Sequence, residues 1–374
     1  MRVIFTCGGT GGHINPALAV AKLLQERRPN AQILFVGADD GMETELVPRE
    51  GFRLETVHIS NFQRKLSLSA LRHNAAALGS MRSALKRADE LIRTFQPDVI
   101  LGTGGYASFP MLRQGARRGI KTAVHESNAV PGLATRMVAD KVDRILVSFP
   151  ECREGYKHPE RVVAVGMPVR SEFIYTDRQE ARKALGLDDR PVVVSAWGSL
   201  GAREMNKKIA QFMKLEAKDE PFQHIHATGT YGWRWMPDYV KELGVDLSAH
   251  KSIDMRPYLY DMPKYMAAAD VFLSRAGAST LNEIAASGTP SIIIPSPNVT
   301  GNHQEKNARI LENRGAALVL RENECDGARL YDEVTKLLQE PARCDSMRRA
   351  LRELAVLDSA ERIYKILLEL AGER

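Results

Sequence analysis

Short apolar runs alternate with helical segments along this chain, and the alternation occurs twice. In the first half, the runs of strand length are residues 3–7, 33–36, 99–101, 122–124 and 144–147. In the second half, they are residues 192–196, 223–227, 271–273, 291–294 and 316–319. The main segments with helical spacing are 14–28, 42–50, 69–95, 109–118, 132–139 and 203–217. Because parallel strands need helical crossovers, each half is predicted to be an α/β domain with a doubly wound parallel sheet.

The segment VGMPVR (165–170) separates the two series and fits a linker, because its glycine and proline interrupt regular structure. We therefore expect an N-terminal domain over 1–165 and a C-terminal domain over 166–358. A last helix within 359–374 is expected to pack back on the first domain. Ligands of doubly wound sheets bind beyond the carboxyl ends of the strands, so the two domains are expected to face each other across a cleft lined by those ends.

The composition excludes several classes of protein. With 44% hydrophobic and 26% charged residues among 374, the chain is neither disordered nor collagen-like. Its cysteines, Cys7, Cys152, Cys325 and Cys344, form no C-x-x-C pair, which argues against a disulfide framework or cysteine zinc site and favours a reducing cytoplasm. The net charge of +6 favours anionic partners. No stretch approaches the roughly 20 apolar residues that cross a bilayer, so any membrane association is expected to be peripheral.

Glycine-rich loops follow three of the predicted strands. They are GGTGGH (8–13), GTGGYAS (102–108) and WGSLGA (197–202). The backbone amides of such loops, next to a helix N-terminus, can approach a phosphate closely. The first loop is not a Walker motif, since no Lys-Ser/Thr pair follows it, and Ile14 stands where the dinucleotide fingerprint needs its third glycine. Three such loops imply more than one phosphorylated ligand.

A fourth segment, SRAGASTLNE (274–283), places Gly277 and small hydroxyl residues before a predicted helix. Its amides and the helix dipole would hold a diphosphate, and Glu283, one turn into the helix, would accept hydrogen bonds from ribose hydroxyls. A hydroxyl residue followed by Glu at this spacing is also typical of a simple helix cap. The residues alone leave both interpretations open.

Seven motifs, in order along the chain, resemble those of one enzyme family. They are GGTGGHINPALAVA (8–21), GTGGYASFP (102–110), HESNAVPG (125–132), GMPVR (166–170), GSLGAREMN (198–206), SRAGASTLNEIAASGTPSIIIPSP (274–297) and GNHQEKNA (301–308). They resemble the MurG family, glycosyltransferase family 28, of bacterial peptidoglycan synthesis. The resemblance implies two Rossmann-like domains in the GT-B arrangement. It also implies an inverting transfer of GlcNAc from UDP-GlcNAc to the C4 hydroxyl of MurNAc in undecaprenyl-pyrophosphoryl-MurNAc-pentapeptide.

The resemblance carries donor-site residues onto this chain, mainly in the second domain. Those expected to bind UDP-GlcNAc are Thr10, Gly11, Gly12, Asn128, Arg170, Ser199, Leu259, Ala278, Ser279, Thr280, Leu281, Asn282, Glu283 and Gln304. Leu259 would read the uracil edge through its backbone, Glu283 would hold the ribose, and Gln304 would contact GlcNAc hydroxyls. Ser199 and residues 278–280 would hold the diphosphate.

The acceptor is expected on the first domain. The loops 8–13 and 102–108 would face its pyrophosphate, with Gly104, Gly105 and Tyr106 as acceptor-binding residues. In the third loop, Trp197 and Leu200 stand where the family commonly has glycine and glutamine. Because of these departures, the resemblance does not define the detailed structure of that loop. It still implies the same reaction.

Inverting transfer requires a base that receives the proton of the attacking hydroxyl. His13 is the first candidate, because it ends the first glycine-rich loop and histidine is the residue type most often used as a general base near neutral pH. The alternative is that its imidazole only caps the helix or hydrogen-bonds the sugar. Glu126 is the competing base, and its alternative role is to position the acceptor.

No metal or other cofactor is expected to be required, since UDP-GlcNAc is a substrate. No Asp-x-Asp follows a predicted strand, and Asp39-Asp40 and Asp188-Asp189 are typical of turns. Helix amides, Ser199 and Arg170 would stabilise the departing UDP instead. His224 and His226 alternate on a predicted strand without a third ligand and are expected to be ordinary sheet residues.

A lipid-linked acceptor requires the enzyme to approach the cytoplasmic face of the cell membrane. Segment 61–69 mixes apolar and basic residues, which suits an anionic interface. The basic residues expected to contact anionic inner-leaflet lipids are Arg64, Lys65, Arg72 and Arg82. Cell-wall synthesis proteins are further candidate partners.

Three other functions share this architecture. A diacylglycerol glycosyltransferase would not need two loops suited to a pyrophosphate, and a UDP-GlcNAc 2-epimerase would not need a lipid acceptor. A non-catalytic UDP-sugar-binding subunit would not need His13. Nucleic acid is excluded as a partner, because aromatic residues make up only 6% of the chain and no known binding module is visible.

Overall fold

The structure is a computed structural model that describes residues 1–59 and 68–373, without the side chains of residues 68–78 and 300. The chain forms two compact units. The first unit is discontinuous in sequence and contains Met1–Val169 together with the C-terminal segment Val356–Arg374. The second unit is continuous over Arg170–Ala355.

Strands and helices alternate through most of both units. The strands are β1 (Arg2–Thr6), β2 (Gln32–Ala38), β3 (Leu54–Val57), β4 (Val99–Gly102), β5 (Lys121–Glu126), β6 (Arg144–Val147), β7 (Val162–Ala164), β8 (Val192–Ala196), β9 (Gln223–Ala227), β10 (Ile253–Arg256), β11 (Val271–Ser274), β12 (Ser291–Ile293) and β13 (Leu318–Val319). The α-helices are α1 (Gly11–Arg27), α2 (Glu43–Arg49), α3 (Leu68–Phe95), α4 (Ser108–Arg117), α5 (Leu133–Ala139), α6 (Glu172–Tyr175), α7 (Arg178–Ala184), α8 (Arg203–Glu216), α9 (Met236–Glu242), α10 (Met262–Ala268), α11 (Ala278–Ser287), α12 (His303–Asn313), α13 (Gly327–Gln339), α14 (Pro341–Leu354) and α15 (Ser359–Ala371).

The strands of the first unit form one parallel sheet in the order β3-β2-β1-β4-β5-β6-β7. Successive residues of a strand point to opposite faces, so Ile4 belongs to one buried apolar cluster while Val3 and Phe5 belong to another. Residues of α3, α4 and α5 complete the first cluster, and residues of α1, α2 and α15 complete the second. Because helices cover both faces, the central strands are continuous apolar runs rather than alternating ones.

The last helix, α15, is part of the first unit. Its residues Ile363, Tyr364 and Leu367 are buried in the same cluster as Val3 and Phe5. This packing places the C-terminal segment beside the N-terminal strand of the chain.

The division between the units falls after Val169, a few residues beyond the predicted boundary at residue 165. Val165 is buried in the core of the first unit, and the Gly166 carbonyl accepts a hydrogen bond from His125 Nε2 at 2.8 Å. The segment predicted as a linker therefore begins inside the first unit. The return of the chain to that unit begins at Val356, slightly before the predicted residue 359.

The strands of the second unit form a separate parallel sheet in the order β10-β9-β8-β11-β12-β13. One buried cluster of this unit joins the sheet to α8, α9, α13 and α14. The predicted fold class, with two doubly wound parallel sheets, is confirmed. The sequence analysis missed strands β3, β7 and β10 and the helices α6, α7, α9, α10, α12, α13 and α14.

Most of the predicted membrane-contact segment lies outside the part of the chain that the structure describes. This holds for residues 61–67, with Arg64 and Lys65 among them, and the side chain of Arg72 is not described either. Arg82 is exposed on α3. Within the described residues, no helix combines the length and the apolar character needed to cross a membrane.

Candidate functional site

The loops 8–13 and 102–108 follow adjacent strands at the point where the strand order of the first sheet reverses. They leave the carboxyl ends of β1 and β4, which pair directly. Such a switch point is where doubly wound sheets bind ligands. The loops touch each other, since a Cβ on Gly105, whose φ is +83°, would overlap the Gly8 carbonyl. The structure thus brings together the two loops that the sequence analysis singled out.

His13 lies in the first turn of α1 and is half-buried. Its Nδ1 atom is 3.1 Å from the Gly8 carbonyl oxygen. Because a carbonyl can only accept, we assign the ring proton to Nδ1, which leaves the lone pair of Nε2 free in the neutral imidazole. Nε2 faces the second loop, where a Cβ on Gly104 would lie 2.9 Å away. A neutral imidazole held in this way can accept a proton at Nε2.

Two side-chain hydroxyl groups of the second loop form hydrogen bonds with backbone carbonyls in and next to the two loops. Thr103 Oγ1 donates to the His13 carbonyl at 2.6 Å. Ser108 Oγ lies 2.9 Å from the Thr6 carbonyl and 2.6 Å from the Gly104 carbonyl. The predicted acceptor-binding residue Tyr106 projects outward with 46% of its surface exposed, so its side chain is free to meet a ligand.

Glu126, the competing base, is almost fully buried at the end of β5. Its Oε1 accepts hydrogen bonds from the Asn128 backbone at 3.0 Å and from the Asn128 amide at 3.2 Å, and its Oε2 accepts one from the Gly132 backbone at 2.8 Å. Both oxygens therefore hold the 126–132 loop in shape. This geometry favours a positioning role for Glu126 over proton abstraction.

One acidic residue of this region was missed by the sequence analysis. Glu43, the first residue of α2, is completely buried and accepts a hydrogen bond from the Gly9 amide at 3.0 Å. One amide of the first glycine-rich loop is thus already occupied. The sequence carried no signal for this contact, because it joins residues on separate elements.

The second unit repeats the arrangement at its own reversal of strand order. The loops after β8 and β11 leave adjacent strands. The predicted phosphate contact Ser199 is exposed on the first of these loops, and its carbonyl accepts a hydrogen bond from the Thr230 amide at 3.2 Å. The loop after β8 also contacts the loop after β9. The backbones of Gly201 and Gly229 pass so closely that a Cβ on Gly201 would overlap the β9 loop and a Cβ on Gly229 would overlap the β8 loop.

Helix α11 begins at Ala278 with Gly277 as its N-cap, so Thr280 already lies inside the first turn. The capping-box interpretation therefore fails, since a hydroxyl side chain would have to occupy the cap position itself. The first amides of α11, on residues 278–280, have no cap side chain to bond and present an anion-binding helix end.

Glu283 lies one turn into α11 and is half-buried. Burial raises the pKa of its carboxyl to about 7, while the nearby Arg170 guanidinium acts to lower that pKa. Arg170 is exposed, and its guanidinium lies 5.3 Å from the Phe173 ring centroid. The predicted ribose contact and a predicted diphosphate contact are therefore close enough to interact.

Gln304 and Leu259 hold fixed positions in the second unit. Gln304 Oε1 accepts the Ser296 amide at 2.8 Å, which leaves the Nε2 group as a donor for a sugar hydroxyl. The Leu259 side chain is 3% exposed, which is consistent with a contact made through its backbone.

Trp197, one of the departures from the family pattern, is buried rather than displayed. The Arg275 guanidinium lies 6.0 Å from its ring centroid and donates to the Ile294 carbonyl at 3.2 Å. Arg275 also pairs with Glu322 at 2.6 Å. This arginine, to which the sequence analysis gave no role, ties together the loops that follow β8, β11 and β12.

A serine, two histidines and a carboxylate form a hydrogen-bond network between the second sheet and α8, where they cannot contact a substrate. Ser195 Oγ lies 2.8 Å from His224 Nε2 and 2.7 Å from His226 Nδ1, and His224 Nδ1 lies 2.9 Å from Glu216 Oε2. All four side chains are fully buried. Burial lowers the pKa of His226 and raises that of Glu216. The network is part of the core, as predicted for the two histidines.

The predicted donor-site residues divide between the units. The first unit holds Thr10, Gly11, Gly12 and Asn128, beside the predicted bases and acceptor contacts. The second unit holds Arg170, Ser199, Leu259, Ala278, Ser279, Thr280, Leu281, Asn282, Glu283 and Gln304. In the described part of the chain, no three His, Cys, Asp or Glu residues are grouped so as to hold a metal ion.

Two family models match this chain. The glycosyltransferase family 28 N-terminal domain matches residues 3–147, and the glycosyltransferase family 28 C-terminal domain matches residues 192–363. The matches cover both loop clusters described above.

Full-length relatives carry one enzyme name, UDP-N-acetylglucosamine–N-acetylmuramyl-(pentapeptide) pyrophosphoryl-undecaprenol N-acetylglucosamine transferase. The relative from Acetivibrio thermocellus is 40% identical over 99% of this chain and 98% of its own length. A relative from a Thermoanaerobacter species is 42% identical over 98% of this chain and 99% of its own length. Among solved structures, MurG of Acinetobacter baumannii shares the fold, with a TM-score of 0.76 and 24% identity over 98% of this chain and 99% of that one.

Proposed function

The chain belongs to glycosyltransferase family 28, and we propose that it catalyses the reaction for which its full-length relatives are named. It transfers GlcNAc from UDP-GlcNAc to the C4 hydroxyl of MurNAc in undecaprenyl-pyrophosphoryl-MurNAc-pentapeptide, with inversion at C1. The observation that carries the proposal is identity of 40–42% over nearly the whole of both chains. The fold alone would not distinguish this reaction from those of other transferases.

His13 is the proposed general base. Its Nδ1 proton is directed to the Gly8 carbonyl, so Nε2 is the atom that receives the proton of the C4 hydroxyl. The hydroxyl oxygen forms the new bond to C1 while the bond from C1 to UDP breaks, and the imidazole carries the released proton. Gly104 and Gly105 bring the second loop close to the ring and to the first loop, since a Cβ on Gly104 would overlap the His13 imidazole and one on Gly105 the Gly8 backbone. Glu126 is the proposed positioning residue of the 126–132 loop.

The second unit is the proposed site for most of UDP-GlcNAc. The exposed amides at the start of α11, with Ser199 and Arg170, would stabilise the negative charge that develops on UDP. Glu283 would accept a ribose hydroxyl, and Gln304 would contact GlcNAc. This electrostatic set requires no metal ion, so activity should persist in excess chelator.

A radiolabel transfer assay tests the function. UDP-GlcNAc labelled in the sugar is incubated with a short-chain analogue of undecaprenyl-pyrophosphoryl-MurNAc-pentapeptide, with diacylglycerol, and without acceptor. We expect label in the muramyl lipid only. Label in diacylglycerol would contradict the proposal and indicate a diacylglycerol glycosyltransferase. UDP-ManNAc formed without acceptor would contradict it and indicate a UDP-GlcNAc 2-epimerase. UDP-GlcNAc binding without any turnover would indicate a binding subunit.

The assignment of the base has its own test. His13→Ala should lower the single-turnover rate by about 10²- to 10⁴-fold, whereas Glu126→Gln should act mainly on acceptor affinity. A rate within about threefold of wild type for His13→Ala would move the role to another residue.

We further propose that the enzyme works at the cytoplasmic face of the cell membrane, where basic residues of the first unit contact anionic inner-leaflet lipids. Reversing the charges of Arg64, Lys65, Arg72 and Arg82 should weaken binding to phosphatidylglycerol vesicles and spare activity on a soluble acceptor analogue. The matched control reverses four exposed charges of the second unit, Lys183, Lys336, Arg349 and Arg352. Equal effects of the two sets would contradict the proposed surface. Binding to cell-wall synthesis proteins is proposed from the reaction alone.

A further inference from the structure

We propose that Glu43 is a positioning residue for His13 and acts on it through the peptide unit between Gly8 and Gly9. The proposal rests on the proposed function, in which His13 Nε2 receives the acceptor proton. It assigns a role in the reaction to a buried carboxylate on a different helix from the base.

Glu43 is a fully buried acid held by backbone amides. Its Oε2 accepts the Gly9 amide at 3.0 Å, and its Oε1 accepts the Ala38 amide at 2.7 Å. A buried carboxylate is costly unless its oxygens are hydrogen-bonded, and here both are. Glu43 therefore links the first glycine-rich loop to the end of β2.

The site of Glu43 is shaped by glycines of the first loop, of β2 and of the turn that follows β2. A Cβ on Gly8 would lie 2.8 Å from Glu43 Oε1, and a Cβ on Gly37 or Gly41 would overlap the Glu43 side chain. These positions admit the carboxylate only because they lack side chains. The acid is thus accommodated at a defined place directly behind the loop that carries His13.

The Gly8–Gly9 peptide unit connects the acid to the base. Its N–H, on Gly9, donates to Glu43, and its C=O, on Gly8, accepts the Nδ1 proton of His13 at 3.1 Å. An anion at the N–H end of a peptide polarises the group and makes its carbonyl oxygen a stronger acceptor. The stronger acceptor fixes the imidazole with its proton on Nδ1 and stabilises the imidazolium that forms when Nε2 takes up a second proton.

Other contacts of His13 do not explain this arrangement of the ring. Thr103 holds the backbone carbonyl of His13 rather than its imidazole. The neighbouring titratable groups are Cys7, whose pKa is raised by burial and by Glu43, and His125, whose pKa is lowered by burial and to a smaller extent by His13. Neither is altered in the experiment below.

A double-mutant cycle between Glu43 and His13 tests the proposal. In the wild-type background, Glu43→Gln should lower the single-turnover rate by about tenfold with the KM for UDP-GlcNAc unchanged, because the amide removes the charge and turns one of the two acceptor atoms into a donor that faces a backbone N–H. In the His13→Ala background, the same substitution should change the rate by less than about twofold, because no ring remains to be positioned. Glu43→Asp, which keeps the charge, should restore part of the loss.

Asp143→Asn is the matched control. Asp143 is another carboxylate of the first unit that accepts a backbone amide, from Thr122 at 2.9 Å, at the opposite end of the sheet. Its substitution should leave the single-turnover rate unchanged. If Glu43→Gln slows both backgrounds by the same factor, Glu43 has only a structural role and the proposal is overturned.

The outcomes separate this proposal from the proposed function. A large effect of His13→Ala with an additive effect of Glu43→Gln removes only the link between them, whereas a small effect of His13→Ala removes both. If Glu43→Gln does not yield folded protein, the cycle is run with Glu43→Asp, and ¹⁵N spectra of the histidines in the wild-type enzyme provide the second measurement. Neutral His13 should carry its proton on Nδ1, and a proton on Nε2 would overturn the proposal.

Discussion

At the residue scale, the same residue type performs different tasks, and only the structure separates them. Gly51 has φ +82° with no atom within 4 Å of a built Cβ, so its backbone angle alone calls for glycine. Gly104 has φ +113° and also lies against the His13 ring. The sequence predicted that Gly104 belongs to a ligand loop, since glycines cluster there. It could not predict that His13 faces this glycine, because their contact depends on the pairing of β1 with β4.

Replacing Gly104 by alanine should damage activity far more than folding. Both Gly104→Ala and the control Gly51→Ala place a side chain at positive φ, which costs about 1–2 kcal/mol in either case. Only the Cβ at residue 104 meets His13 Nε2, at 2.9 Å, so the ring must move. We expect a loss of about 10²-fold in kcat for Gly104→Ala and almost none for Gly51→Ala. Thermal melts and steady-state kinetics of both variants check this, and wild-type kcat in Gly104→Ala would refute the placement of the ring.

The affinity for UDP-GlcNAc should fall as the pH drops below about 7. Burial raises the pKa of Glu283 to about 7, and the ionised carboxylate accepts ribose hydroxyls more strongly than the protonated acid does. Below that pKa, the Kd should rise by at most about tenfold per pH unit until it reaches the Kd of the protonated site, while above that pKa the Kd should be constant. Calorimetric titrations from acidic to alkaline pH measure this profile. Glu283→Gln should bind more weakly at high pH and without the same slope, and parallel profiles would show that another group titrates.

At the scale of elements, the strands missed by the sequence analysis share one position. Strands β3, β7 and β10 each lie at an edge of a sheet. Most of their residues are only partly buried, so they lack the continuous apolar run that revealed β1, β4 or β8. Edge strands are defined by a single neighbour rather than by burial on both faces. Apolar patterning therefore predicted the centre of each sheet and the edge strand β13, whereas the other three edge strands depended on contacts that the pattern does not contain.

Helix α15 should be required for the stability of the first unit, although it comes last in the chain. Leu367 is fully buried in the cluster that contains Val3 and Phe5, whereas Leu357, just before the helix, is 52% exposed. Leu367→Ala should lower the free energy of unfolding by about 2–5 kcal/mol. Leu357→Ala should change it by less than about 0.5 kcal/mol. Urea denaturation of both variants compares these values, and equal midpoints would mean that α15 is not part of this core.

At the scale of the whole molecule, the chain contains one continuous unit inserted into a discontinuous one. The repeated strand–loop–helix pattern predicted both sheets, and the motifs predicted which loops would carry ligand contacts. The pattern could not reveal the contacts of Glu43 or Arg275, because each side chain connects segments that follow different strands. Sequence patterning thus predicts which strand ends carry a site. The side chains that hold the loops of the site in place can be identified only from the structure.

The continuous unit, residues 170–355, should fold alone and bind UDP-GlcNAc, but more weakly than the full chain. It has its own sheet and core, and it holds Arg170, Glu283 and Gln304 while lacking Thr10 and Asn128. Losing a few hydrogen bonds from the first unit should raise the Kd by about 10- to 100-fold. Circular dichroism establishes folding and calorimetry measures the Kd, with Glu283→Gln in the same fragment as the control. A folded fragment that binds no better than this control would contradict the assignment of the donor site to the second unit.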